Sequence, residues 1–323
     1  MASEFGWEYH LVDEGWKKWG KTVPESMDKV AQLASYAAGK QVGIWVWVRW
    51  SDVNNPANDW ESMRSFFSSL AKTGIKGIKI DFMDSASRER LAFYDAVAEN
   101  LAKNKLMVNF HGANTPTGEE RSWPHEMSRE GIYGGEQNIW AAIGGRHYCA
   151  LPFTRLVSGH ADFTGGYFGH GPKLRGSSWP LQMAANIIYT SPVLHWVSNP
   201  ADMEAAFPKG SPEREAVRNI PSVWDETIVL PPSAIGECAA FARRSGDQWY
   251  IALMNGDGRE RTVSIPLDFL NRNTAYRATI LRDLPEKNDG WKVENRELHS
   301  GSTLSFTMRV KGGGIARLVP AGK

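Results

Sequence analysis

Apolar strand-like runs and amphipathic helical stretches alternate from residue 7 to about residue 200, and this alternation constrains the fold more than any other feature. The strand-like runs are 8–13 (EYHLVD), 42–49 (VGIWVWVR), 75–81 (IKGIKID), 106–111 (LMVNFH), 153–158 (FTRLVS) and 193–197 (VLHWV). Helical stretches are expected between them at 25–39, 58–73, 86–103 and 178–190. In the third of these, Leu91, Tyr94, Val97 and Leu101 recur on one face, with the charges on the other. Strand and helix at this pitch predict βαβ units and a parallel sheet.

Polar residues gather where these strands end: Asp13 and Glu14, Arg49, Asp81 and Asp84, His111, and Asp162. A (β/α) barrel builds its active site on that rim. A doubly wound sheet obeys a similar rule, but no glycine-rich phosphate fingerprint follows the early strands, so the pattern favours a TIM-type barrel.

After PSVWDETIVLPPSA (221–234) the helices stop. Short strands are expected at 237–244, 248–255, 261–267, 276–283, 302–310 and 314–319, separated by turns such as SGDQ, NGDGRE and KGGG. The fold expectation is therefore a catalytic (β/α) barrel over residues 1–228 and a C-terminal antiparallel β-sandwich over 229–323.

Composition excludes several classes of function. A net charge of +1 over 323 residues, without a basic block, argues against nucleic-acid or membrane binding through bulk charge. No apolar run reaches the ~18 residues of a membrane helix. Cys149 and Cys238 have no metal-ligand spacing and are expected as free core thiols. Fourteen tryptophans suit a sugar-binding cleft, although Trp45, Trp47 and Trp50 alternate as strand packing does and Trp224 suits a domain junction. The opening MASEF lacks the apolar core of a signal peptide and resembles a vector-encoded leader, with native sequence expected from about Gly6. The abrupt entry into a strand pattern suggests a fragment of something longer.

The strand GIKGIKID ends in Asp81, and Asp84 follows closely. Either could cap the next helix; Asp84, nearer the helix, suits that role better and leaves Asp81 for another. A second cluster is SREGIYGGEQNIW (128–140), where Glu130 and Glu136 flank glycines that let backbone approach a ligand. An acid from each of two βα loops is the requirement of glycoside hydrolysis, one as nucleophile or base and the other as proton donor.

Seven segments together, WEYHLVDEGW, GIWVWVRW, GIKGIKIDFMD, NFHGANTPTGEERSWP, SREGIYGGE, PFTRLVSGHADFTGGYF and PSVWDETIVL, resemble glycoside hydrolase family 97 in order and spacing over nearly the whole chain. The resemblance implies an N-terminal β-supersandwich that lies outside this chain, a (β/α)8 barrel whose first strand precedes WEYHLVDEGW, and a C-terminal β-sandwich. It implies hydrolysis of α-galactosides or α-glucosides with calcium in the site. In the family's retaining branch the Asp after the KID strand is the nucleophile, matching Asp81, and the last Glu of EGxxGxE is the acid/base, matching Glu136. Inverting members carry a Glu after the strand-end His. Here His111 is followed by Gly112, which implies retention and, with it, α-galactosidase activity.

On the same basis Glu130 and Glu136 match calcium ligands, the remaining family ligand belonging to the absent N-terminal domain. Lys79, His111, Asp13, Glu14 and Asp162 are expected contacts to sugar hydroxyls. Retention requires the Asp81 and Glu136 carboxyls to stand roughly 5–5.5 Å apart. The partner is expected to be a small or oligosaccharide substrate, and a second copy of the chain could cover an open barrel edge. Family members are commonly exported in bacteria. Two alternatives accompany this reading: an α-glucosidase of the same family, and an impaired, sugar-binding fragment.

Overall fold

The computed structural model describes residues 1–170, 174–218 and 220–322. The chain divides into two compact units, Met1–Ile132 with Gly159–Asp162, and Tyr133–Ser158 with Phe163–Lys323. The expected domain boundary at residue 228 falls inside a strand of the second unit, Glu226–Val229.

In the first unit the order is α1 (Ala2–Phe5), β1 (Tyr9–Val12), α2 (Val23–Ala38), β2 (Gly43–Arg49), α3 (Ala57–Ala71), β3 (Gly77–Asp81), α4 (Arg88–Lys103), β4 (Met107–Phe110), α5 (Glu119–Ser122) and β5 (Glu126–Arg129). The five strands form one parallel sheet in sequence order. The barrel-type expectation is met by this parallel sheet and its helices.

The register explains why IWVWVR has its composition. Trp45, Trp47 and Arg49 pair with Gly77, Lys79 and Asp81, and Lys79 pairs in turn with Asn109, so these residues share one face. Ile44, Val46, Val48, Ile78, Ile80, Val108 and Phe110 take the other. They form a core with Val30, Ala34, Phe67, Leu70, Phe93, Val97 and Leu101 from the covering helices. One face is thus apolar and helix-covered, whereas the other carries the tryptophans and polar groups. Gly77 is required by this arrangement, since a Cβ there would lie 2.5 Å from the Trp45 ring.

Several expectations need correction. Residues 153–158 form no strand. Leu151–Phe153 and Arg155–Val157 are single 3-10 turns, the first with a proline at its start, where a missing N–H costs a strand but not a turn. Of 193–197 only Trp196 makes a bridge, to Gly165. The fifth strand is instead β5, whose sequence EMSR has no apolar pattern. Its burial depends on ion pairing: Arg129 donates to both oxygens of Glu126, at 2.7 and 3.0 Å, and to Asn114 and Glu119. In α4 the buried stripe begins at Phe93 and Tyr94, while Leu91 is 43% exposed. Asp84 does not cap that helix. Ser87 does, accepting from Arg90 N, and Asp84 sits in left-handed backbone at φ 45°. The opening residues are structured: Phe5 is buried and stacks on Trp7.

The second unit contains α6 (Gly145–Ala150), α7 (Trp179–Ile188), α8 (Pro200–Ala206) and α9 (Pro212–Val217), followed by β6 (Glu226–Val229), β7 (Cys238–Ser245), β8 (Gln248–Asn255), β9 (Arg261–Pro266), β10 (Tyr276–Arg282), β11 (Lys292–Leu298), β12 (Thr303–Met308) and β13 (Gly313–Pro320). A six-stranded antiparallel sheet, β11-β10-β13-β8-β7-β6, faces the β12–β9 pair. Ala240, Ile251, Leu253, Ile280, Leu304, Phe306 and Leu318 fill the sandwich core between them. The β-sandwich expectation holds, with β6 and β11 added. β11 reads KVENREL and carries no apolar alternation, because an edge strand exposes most of its side chains. Cys149 and Cys238 are buried free thiols of this unit, and Trp224 packs edge-on against Tyr250. Among the described residues, no helix is long and apolar enough to cross a membrane.

Candidate active site

Asp81 is the last residue of β3, where the strand leaves the apolar layer. Its Oδ2 accepts from Trp47 Nε1 at 2.8 Å and its Oδ1 from the Phe82 amide at 2.6 Å. His111 Nδ1 stands 3.4 Å from Oδ1, and Lys79 Nζ 4.0 Å from Oδ2. Lys79 also faces Asp13 Oδ2 at 3.9 Å.

His111 is the hub of the group. It follows β4, its amide donating to Ile80 O, so the parallel pairing sets it beside Asp81. Its ring is 2% exposed, with Nδ1 3.6 Å from Glu130 Oε2 and Nε2 3.6 Å from Asp162 Oδ2. Asn109 Nδ2 donates to the same Asp162 oxygen at 3.0 Å. The Arg129 carbonyl accepts from the Asp162 amide, which brings the 159–162 segment to the end of β5.

Burial works to raise the Asp81 pKa, but His111, Lys79 and the Trp47 N–H overcome it and hold the carboxyl at about 2. Burial likewise works to lower His111. The acceptor on Asp81 and the charges of Asp162 and Glu130 outweigh it and raise the imidazole to about 9. At neutral pH the group therefore contains an ionised Asp81 beside an imidazolium.

The rim of the site is strained. Phe82, directly after Asp81, has φ 63°, a left-handed backbone that costs a bulky L-residue about 1–2 kcal/mol. Asp84 N donates to Gly112 O at 2.6 Å, joining the two strand-end loops. Gly112 has φ 56°, and a Cβ there would meet Asp84 Oδ1 at 2.9 Å and Phe82 Cα at 3.1 Å. Its amide donates to Glu130 Oε2 at 2.6 Å. Glycine at 112 thus fits both the backbone and the close approach of the neighbouring loop.

Of the residues singled out in the sequence, Asp13, Lys79, Asp81, His111, Glu130 and Asp162 come together in the first unit. Glu14 is exposed in the turn after β1, where its amide donates to Asp13. Glu136 lies in the second unit, half-buried on the 3-10 turn Gly135–Ile139. Trp47 and Asn109 complete the group and were not singled out as ligands of its acids. The β2–β3 register, with Trp47 opposite Lys79, was the available signal for the former. For a calcium ion the donor chemistry fits in kind, since Glu130 is a buried hard-oxygen ligand. Calcium takes six to eight oxygens, so carbonyl and water oxygens would have to complete a set that Glu130 begins.

A family model described as glycoside hydrolase 97 matches residues 1–132, and a second, described as glycosyl-hydrolase 97 C-terminal, oligomerisation, matches residues 223–319. The chain is 33% identical over 318 residues to a probable retaining alpha-galactosidase of Streptomyces bingchenggensis, covering 97% of this chain and 47% of that protein. It is 32% identical over 303 residues to a retaining alpha-galactosidase of Bacteroides thetaiotaomicron, covering 88% and 43%. The chain thus spans about half the length of the curated relatives it matches. Among solved structures, a glycoside hydrolase family 97 enzyme of Pseudoalteromonas sp. strain K8 in complex with acarbose superposes with a TM-score of 0.83 at 24% identity, over 99% of this chain and 55% of that one. A beta-arabinopyranosidase gives 0.79 at 22% identity, over 98% and 51%. These structures speak for the fold, and the family models and curated relatives for the lineage: the chain belongs to glycoside hydrolase family 97.

Proposed function

We propose that this chain carries the site of a retaining α-galactosidase, with Asp81 as nucleophile and Glu136 as acid/base. The observation that carries the reading is the Asp81 carboxyl at the end of β3, with Lys79 Nζ and His111 Nδ1 at 4.0 and 3.4 Å from its oxygens and an indole N–H on one of them. A nucleophilic carboxylate must be deprotonated when the sugar arrives, and these neighbours keep it so.

In the first step an Asp81 oxygen bonds to the anomeric carbon while the bond to the leaving oxygen breaks and Glu136 gives that oxygen its proton. In the second, Glu136 takes a proton from water, the hydroxide bonds to the anomeric carbon, and the Asp81 ester is released. Two inversions leave the product α-configured. Lys79, His111 and Asp162 would bind hydroxyls of the galactosyl ring, and the two curated relatives, named as retaining alpha-galactosidases, support the sugar and the stereochemistry. Calcium would be held by Glu130 and Glu136 with carbonyl and water oxygens, supplying positive charge that polarises substrate oxygens.

The test is release of p-nitrophenol from p-nitrophenyl α-galactoside, with p-nitrophenyl α-glucoside as comparator. Asp81→Ala is expected to lower kcat at least about 10⁴-fold. Proton NMR during turnover should show α-galactose first. Unchanged turnover in Asp81→Ala would remove it as nucleophile, and β-galactose first would remove retention. Faster glucoside cleavage would replace the sugar.

A further inference from the structure

We infer that Phe82, with the Arg49 guanidinium stacked on it, forms the leaving-group subsite of this site and receives an apolar or aromatic face of the aglycone. The inference rests on the glycosidase reading above and adds which side chains select the departing group.

Three observations place Phe82 outside the ordinary packing of the sheet. Its ring is 43% exposed, while its neighbour Met83 is fully buried. Its backbone is left-handed, at φ 63°, which folding does not repay with burial of the ring. The conformation is held from both sides, by the Phe82 amide on Asp81 Oδ1 and by the Asp84 amide on Gly112 O.

The ring is also tied to the carboxylate by its contacts. The Arg49 guanidinium lies 4.5 Å from its centroid, a cation–π distance that occupies one face. Trp47 meets it edge-on at 6.1 Å, and the same indole donates to Asp81 Oδ2. An aromatic surface is therefore fixed against the reacting group and open to solvent.

The division of polarity fixes which half of the substrate it meets. Lys79, His111 and Asp162 are buried polar groups that suit a ring rich in hydroxyls. Phe82 and Arg49 are exposed, and offer an apolar face with donors at its edge. A glycone needs the first environment; a leaving group needs only the second.

Calorimetry on the Asp81→Asn protein tests this, since Asn keeps an acceptor for the Phe82 amide and stops turnover. The p-nitrophenyl α-galactoside should bind about five- to tenfold more tightly than the methyl α-galactoside. Adding Phe82→Ala should bring that ratio close to one and leave the methyl glycoside's Kd unchanged, which also shows that the site is still folded. Arg49→Ala should lower the ratio in the same direction by about twofold. A ratio that survives Phe82→Ala, or equal weakening of both ligands, overturns the subsite. The same pair of α-glucosides separates this result from the sugar assignment. A Phe82-dependent ratio seen with glucosides alone keeps the subsite and overturns the galactoside reading. Absence of binding by all four ligands to the Asp81→Asn protein overturns both.

Discussion

Two aspartates at strand ends, one in each unit, have opposite fates. Asp81 ends β3 of the parallel sheet and is held at about 2 by His111, Lys79 and Trp47 against its burial. Asp283 follows β10 of the antiparallel sheet, and burial pushes it up to about 6 although Ser178 and the amides of Arg309 and Gly313 bond it. Burial alone therefore does not decide whether a strand-end acid is ionised; the charges beside it do. Topology decides who those neighbours are. In a parallel sheet every strand reaches the same rim with its C-terminal end, so Asp81, His111 and Glu130 arrive together. In an antiparallel sheet a strand end meets connecting loops, and Asp283 collects backbone amides.

The largest effect that sharpens this comparison lies in the charge behind the first rim. Arg129 is fully buried and pairs with Glu126, with its guanidinium 4.3 Å from the Tyr94 centroid. Arg129→Met leaves Glu126 buried without its cation and is expected to cost about 3–5 kcal/mol. Urea denaturation of the intact chain measures it. A loss under about 1 kcal/mol would mean that β5 is held by backbone pairing and not by charge.

The pH dependence of the two aspartates tests the comparison itself. Asp81 is lowered, so its contribution is present above its unfolded value of 3.8 and is lost as pH falls through about 2. His111 is raised, so its contribution is complete below 6.5 and is lost as pH rises through about 9. Asp283 is raised, so its contribution is complete below 3.8 and is lost as pH rises through about 6. A shift of this size corresponds to roughly 3 kcal/mol at most. Asp283→Asn should therefore stabilise the chain by about 1–3 kcal/mol at neutral pH and have little effect in acid. Equal effects at both ends of that range would mean that the carboxyl is already ionised in the fold.

Much of the first unit was legible because its code is apolar periodicity. The four strands β1–β4 and the helices α2, α3 and α4 stand within a few residues of their expected ranges. β5 was illegible because Glu126 and Arg129 are polar, and only their mutual neutralisation lets the strand be buried. Residues 153–158 misled for the converse reason: apolar content without a partner strand does not make a ladder. At the candidate site Asp13 and Asp81 were legible from strand ends, Glu130 from its glycine-flanked segment, and the family pattern singled out Asp81 and Glu136. Trp47 was not, because alternation assigns a tryptophan to packing while its N–H direction depends on the register of the next strand. Chain proximity favours Asp84 as the helix cap, but the cap belongs to whichever residue is extended just before the first turn, here Ser87.

Capping gives the smallest test and takes the comparison down to a single hydroxyl. Ser87 caps α4 in the first unit and Ser178 caps α7 in the second, each accepting from the amide three residues on, at 3.3 and 3.2 Å. Ser87 is exposed, so water can replace its oxygen, and Ser87→Ala should cost about 0.5–1 kcal/mol. Ser178 is fully buried and its hydroxyl also bonds Asp283. Ser178→Ala should cost about 2 kcal/mol, since no water takes its place and the acid loses a donor. That second loss must grow as pH rises, because the missing donor served the ionised carboxylate, while the cost at Ser87 should not change with pH. Ser178→Ala with the same cost in acid and at neutral pH would separate Asp283 from the cap, and with it the account of why the two aspartates differ.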